Sequence, residues 1–312
     1  MKMNKRYKST ADCTITFNDR RINRKWVSYY GQMFIEDFIH NLCFTALRKK
    51  DIAFVDREQF RIEEFDSKLK KMITLSDYTY LEYGLGKVIT NSLYTLLTKG
   101  KSYLQVVYYL DDNDNVIGFD FKELYYEKIL KGIKNIKFYY PNSSGRKVLK
   151  ISKDDLICLK CSKCGFKKRE LRKIEKGLRD MKLFPISAEK MYELNVDFMH
   201  YNKEEKLNLL RITKNIPWNG RDSRNEYITY QYYLFRLAKF RKQQIILLKY
   251  IVDEINAKLI EIGNKNKFKG SIVYDALSEE DIDEIINMMN NGELQFDDAL
   301  KCLLYNHKVN KL

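Results

Sequence analysis

One apolar stripe constrains this chain more than any other stretch. Across residues 226–262, Tyr230, Tyr233, Leu234, Leu237, Phe240, Ile245, Leu248, Val252, Ile255 and Leu259 recur at helical spacings and fall on one side of a helix. No proline interrupts the run, and the chain has only 3 prolines in 312 residues. As one helix the segment extends about 55 Å, at about 1.5 Å per residue. A compact globule of this length has a radius of gyration of about 20 Å. A helix longer than twice that radius suits an elongated protein or an assembly subunit.

The remaining segments alternate between helical and strand patterns. Val27, Tyr30, Phe34 and Phe38 share a helical face, and an alternating stretch at 13–17 reads as a strand. Ser76-Asp77 opens a helical stripe that ends at Lys99-Gly100. Gly84 and Gly86 lie inside it without the third glycine of a dinucleotide fingerprint, and are expected to be close-packing positions. Residues 103–110 and 116–121 read as strands joined by the turn Asp111-Asp112-Asn113-Asp114-Asn115. Residues 135–140 and 147–151 form a second hairpin, and 156–160 another strand. Ser278-x-x-Asp281 is a capping box ahead of a helix, Asn290-Asn291-Gly292 stops it, and a second helix follows. The fold class expected is α+β, mostly helical with a small central β-rich unit. Four regions follow: 1–102 helical, 103–160 β-rich, 161–225 basic, and 226–312 with the long helix and a terminal helix pair.

Composition narrows the function classes. The chain carries 57 Lys+Arg against 42 Asp+Glu, a formal charge of +15. That balance suits a polyanionic partner, although a Lys-, Asn- and Tyr-rich usage also follows from an A·T-rich genome. The charge concentrates at 163–182, where Lys163, Lys167, Lys168, Arg169, Arg172, Lys173, Lys176, Arg179 and Lys182 face only three carboxylates. Leu171, Ile174 and Leu178 give this tract a thin helical stripe. It reads either as a solvated helix face or as a phosphate-facing surface that binds without reading sequence. No run reaches the about 18 uncharged apolar residues of a membrane span, and no apolar segment follows the basic N-terminus as in a secretory signal. The expectation is a reducing cytoplasm and no membrane partner.

Sites for chemistry are sparse. Cys158, Cys161 and Cys164 have metal-ligand spacing, but they lack a second pair, so ordinary thiols are the preferred reading. An Asp111-led calcium loop would need Gly and Glu where Val116 and Lys122 stand, which favours a hairpin turn. His40, His200 and His307 are scattered. The carboxylate pairs Asp154-Asp155 and Glu279-Glu280 sit ahead of a strand and at a helix start. No hydrolase, zincin, P-loop or kinase signature occurs. The reading is therefore a non-enzyme without cofactor.

In order, several segments resemble the portal proteins of tailed bacteriophages. Leu93-Tyr94-Thr95-Leu96-Leu97-Thr98-Lys99-Gly100-Lys101-Ser102-Tyr103 is similar to that family's passage from helix through glycine to an aromatic-led strand. Asn113-Asp114-Asn115-Val116-Ile117-Gly118 resembles its hairpin. Ile151-Ser152-Lys153-Asp154-Asp155-Leu156-Ile157-Cys158-Leu159 resembles a strand in which Cys158 replaces a frequent histidine. Arg211-Ile212-Thr213-Lys214-Asn215-Ile216-Pro217 resembles the turn before its long helix, and 277–300 its late helix pair. The resemblance covers most of 25–305 and marks a short, divergent member. It implies a virion protein, assembled in the host cytoplasm as a ring, usually of twelve copies, at one capsid vertex. Non-specific double-stranded DNA passes through during packaging and ejection, with a terminase motor, capsid and head-completion proteins as partners. On that reading 161–225 is a stem-like and reduced clip-like region. Lys167, Lys168, Arg169, Arg172 and Lys173 are then candidates to face the DNA channel. The rival reading is a basic, non-sequence-specific nucleic-acid-binding protein with a Cys158/Cys161/Cys164 zinc site.

Overall fold

The computed structural model describes residues 8–9, 28–43, 60–64, 68–73, 81–124, 126–142, 145–181, 198–221, 228–274 and 277–305. In chain order these form β1 (Lys8–Ser9), α1 (Tyr29–Cys43), β2 (Phe60–Glu64), α2 (Lys68–Ile73), α3 (Leu81–Lys99), β3 (Lys101–Leu110) and β4 (Val116–Glu123). Then come β5 (Lys128–Lys131), β6 (Asn135–Asn142), β7 (Gly145–Ser152), β8 (Leu156–Lys160), α4 (Lys168–Asp180) and α5 (Phe198–Ile212). The last elements are α6 (Tyr230–Asn266), β9 (Gly270–Tyr274), α7 (Glu279–Asn290) and α8 (Phe296–Tyr305). Helices and antiparallel sheets together make an α+β fold, and the expected long helix is present as the 37-residue α6. The chain divides into two compact units: Met1–Arg20, Cys43–Cys161 and Lys249–Asp275 form the first, and Arg21–Leu42, Ser162–Leu248 and Ala276–Leu312 the second. Each therefore draws on several of the four stretches read from the sequence.

The first unit is built around β3. Ser102–Val107 are buried without alternation, the pattern of a strand covered on both faces. β4 pairs antiparallel on one side, while β8 and the short β1 share the other. The β3–β4 turn is closed by Asp111, whose Oδ1 accepts from the Asn113 and Asn115 amides at 2.9 and 2.8 Å and whose Oδ2 accepts from Asn115 Nδ2. Asp114 sits at φ 59°, a left-handed position that Asp tolerates. The acidic run is thus a turn whose first carboxylate is spent on the backbone. A second antiparallel sheet runs β5-β6-β7, and its inner face buries Ile136, Phe138 and Ile151 with Tyr103, Leu124 and Leu156. β2 pairs with β9, from Phe60↔Tyr274 to Glu64↔Gly270. Asn256 on α6 clamps β9: its Nδ2 donates to the Ile272 carbonyl and its Oδ1 accepts the Ile272 amide, both at 2.8 Å.

The second unit has an aromatic centre. Phe34 and Phe38 of α1 pack edge-on against Trp218 and Phe240, with ring centroids 5.6 Å apart for Phe34–Trp218 and 5.2 Å for Phe38–Phe240, and Phe166 closes on Phe38 at 5.9 Å. Edge-to-face pairs add about 0.5–1.5 kcal/mol beyond their area burial. Leu234, Ala238 and Ile245 pack with Leu277 and with Ile282, Ile285, Ala299 and Leu303 of the terminal helix pair. The capping box is present: Ser278 accepts from the Asp281 amide while the Asp281 carboxylate accepts the Ser278 amide. Gly292 ends the helix at φ 75°.

Several positions depart from the sequence reading. The stripe on α6 is wider than expected, because Arg236, Arg241 and Gln244 are buried among its apolar residues. Arg236 donates to the Trp218 carbonyl, Asn219 Oδ1 and Thr213 Oγ1, each at 2.9 Å, and so ties the end of α5 and the Pro217 turn to α6. Gly86 is not a close-packing position: a Cβ there would meet nothing within 4 Å. The strands β2, β5 and β9 and helix α5 were not foreseen. The expected strand at 13–17 and the helix start at Ser76-Asp77 lie outside the described residues.

Candidate nucleic-acid interface

α4 holds the five cations singled out from the sequence, or, for Lys167, precedes them as its N-cap. Leu171, Ile174 and Leu178 are buried at spacings of three and four, and this stripe fixes the helix against the second unit. Glu175 is buried beside them, and its Oε1 accepts from Arg179 Nη1 at 2.9 Å. With the inner face so determined, Lys168, Arg169, Arg172, Lys173 and Lys176 are all exposed. At about 100° per residue they fall, with Arg179, within an arc of about 140°. Asp180, at the last helical position, is the only carboxylate in that arc. The cationic strip is therefore about three turns long and begins at the helix N-terminus. None of Lys167, Lys168, Arg169, Arg172 or Lys173 pairs with a described carboxylate.

The start of α4 is locally unfavourable. Lys167 has N-cap geometry at φ −81°, ψ 122°, but contributes no side-chain cap. It, Lys168 and Arg169 place three cations at the end of a helix that already carries about +0.5 of a charge, where an anion is the favoured neighbour. Serine or aspartate at the N-cap would be worth about 1 kcal/mol more. Glu170 in the first turn offsets part of this positive charge. Phosphate groups would satisfy the amides and the side chains together.

α4 meets α5 through Gly177. A Cβ there would lie 2.7 and 2.9 Å from the γ-carbons of Ile212, so the close approach requires glycine. Beside this contact lies a groove of about 380 Å³ whose walls include Asp180, Glu204 and Glu205. Carboxylates thus gather beside the helix end, where Arg179 and Asp180 also sit. Lys176 and Arg179 were named in the basic tract but not among the five channel candidates, and Gly177 was not named at all. The first two follow from helical geometry alone, whereas Gly177 needs knowledge of which helix packs on α4.

The other candidate residues are not assembled into a site. Cys158 is half-buried on β8, paired with Tyr103 of β3. Cys161 is buried and its thiol donates to the Leu96 carbonyl at 3.0 Å. Cys164 is buried, and desolvation pushes its thiol up to about 11. No group of three or more His, Cys, Asp or Glu side chains is arranged to hold a metal among the described residues. His200 is exposed on α5, while the His40 side chain and His307 lie outside the described residues. Asp154 is exposed; Asp155 is half-buried, its carboxyl raised by desolvation against the opposing pull of Lys258 and Lys265. Glu279, Glu280 and Asp281 form the first turn of α7. No described helix is long and apolar enough to cross a membrane.

No protein-family model and no curated protein matches the chain.

Proposed function

We propose that this chain is a portal-like structural protein that assembles into a ring at a capsid vertex, through which DNA is packaged and ejected. The observation that carries the reading is the order of elements: α3, Gly100 and β3; the Asp111–Asn115 hairpin; β8; the Pro217 turn before the 37-residue α6; and the α7–Gly292–α8 pair. These elements follow one another in the order of the resembling sequence segments, and that order supports the reading. On this reading α4 is the stem-like helix, and its exposed cations contact the sugar–phosphate backbone as DNA passes. Lysine and arginine on one exposed helix face neutralise phosphates without reading bases, which suits a molecule that must let any sequence slide. The ring takes no part in bond chemistry; the terminase motor supplies the work, and capsid and head-completion proteins dock on it.

The experiment is a mass measurement of the purified full-length chain, with negative-stain images. The reading expects closed rings of ten or more subunits, twelve being the favoured number. A chain that stays monomeric or dimeric at micromolar concentration would overturn the ring. The second reading, a small non-specific nucleic-acid-binding protein, would then stand, because the exposed face of α4 supports it equally. Its zinc site finds no support in the placement of Cys161 or Cys164.

A further inference from the structure

The β5-β6-β7 sheet of the first unit has two unlike faces. Ile136, Phe138 and Ile151 point into the core. On the other face the register sets Leu130, Lys137 and Lys150 in one row and Lys128, Tyr139 and Val148 in the next. Lys128, Leu130, Lys137, Val148 and Lys150 are all exposed. Lys137 and Lys150 stand directly opposite each other across an antiparallel pair. Like charges so placed destabilise a sheet, and none of the three lysines pairs with a described carboxylate. At the β5–β6 turn Lys131 and Lys134 flank Ile133, which is 92% exposed.

We propose that this face is a second nucleic-acid contact, which binds the sugar–phosphate backbone independently of α4. Neighbouring strands are about 4.8 Å apart, so the lysines spread over about 10 Å from β5 to β7. One small anion cannot span that distance, whereas a backbone with repeating phosphates can. Neutralisation by phosphates removes the Lys137–Lys150 repulsion and releases counterions, so binding falls steeply with salt. Leu130, Tyr139 and Val148 lie between the cations, where sugars or unstacked bases would rest. The face belongs to a different unit from α4, and the proposal does not depend on ring assembly.

The test uses the full-length chain with K128Q/K137Q/K150Q, and with K128R/K137R/K150R as the charge-retaining control. Binding of labelled 20-mer duplex and single-stranded DNA is measured by fluorescence anisotropy across a salt series. Anionic phosphatidylserine vesicles and polyglutamate serve as competing polyanions. The slope of log K against log salt should fall by about 2.7 on duplex and about 2 on single strands. Affinity at 100 mM salt should drop at least tenfold, and the arginine variant should behave as wild type. The loss should add to that of an α4 variant lacking its five cations. An unchanged slope overturns this contact while leaving α4 untouched. So does a triple variant that loses vesicle or polyglutamate binding but keeps its hold on DNA.

Discussion

The start of α4 yields a prediction in which stability and function move in opposite directions. Lys167 has the backbone of an N-cap without a capping side chain. In Lys167→Ser the hydroxyl accepts a first-turn amide, worth about 1 kcal/mol within a range of about 0.5–2. Removal of the cation from the positive helix end adds about 0.3 kcal/mol, the low end of the range because the site is exposed. The total of about 1.3 kcal/mol should raise the melting temperature by about 3–5 °C in a unit of this size. Lys167→Gln isolates the charge term and should give less than a third of that gain. Both variants lose one phosphate contact, so the salt slope on duplex DNA should fall by about 0.9. Circular-dichroism melts and anisotropy titrations on the same preparations test both halves. If Lys167→Ser melts at or below wild type, the helix end was not under-capped. If it melts higher and binds DNA as tightly as wild type, the cation is not there for phosphate.

Other positions give sharper structural tests. Gly177→Ala gains about 1 kcal/mol of helix propensity but drives a Cβ into Ile212, an overpacking cost of about 1–3 kcal/mol; the chemical-denaturation midpoint should fall, and Ile212→Ala should restore part of the loss when added. Arg236→Met leaves Asn219 Oδ1 without its donor and the Trp218 carbonyl with Thr213 Oγ1 alone, and should cost about 1–3 kcal/mol, read by the same midpoint. Asp111 is held below the usual carboxylate value by the Asn115 side chain, the Asn115 amide and the Asn113 amide. A depressed carboxyl stabilises fully above its unfolded pKa of about 4 and loses that contribution as pH falls through the lower folded value. Protection of the Asn113 and Asn115 amides, taken relative to their intrinsic exchange rates, should therefore fall below about pH 4, and Asp111→Asn should flatten that dependence.

What could be read from the sequence was what local chemistry decides. The capping box at Ser278 and Asp281, the Asp111–Asn115 turn and the α6 stripe each sit within a short window and need no partner to be recognised. The β2–β9 pair was hidden because Phe60–Glu64 and Gly270–Tyr274 are five-residue strands some 200 positions apart, neither with a hairpin signal. β5 is four residues with two lysines, too short for alternation to declare itself. α5 has a weak stripe, and among its described side chains Leu209 and Leu210 are the buried apolar ones. Tertiary contact overrode local expectation in the rest. Gly86 packs against nothing while Gly177 is indispensable to a helix crossing, and Arg236 is buried because the α5 end and the Pro217 turn together offer it acceptors. The cationic face of α4 was visible as composition, but its outward direction is set by Leu171, Ile174 and Leu178 against the second unit.

Nucleic-acid binding in either reading requires the exposed face of α4 to meet phosphate rather than water. The direct measurement is the salt dependence of binding for wild type and for K167Q/K168Q/R169Q/R172Q/K173Q, on two duplexes of unrelated sequence. Five lost phosphate contacts predict a slope lower by about 4.5, which is about 500-fold less of the affinity change between 50 and 200 mM salt. The two duplexes should respond identically. A slope that survives the five substitutions, or falls on one sequence and not the other, contradicts the account.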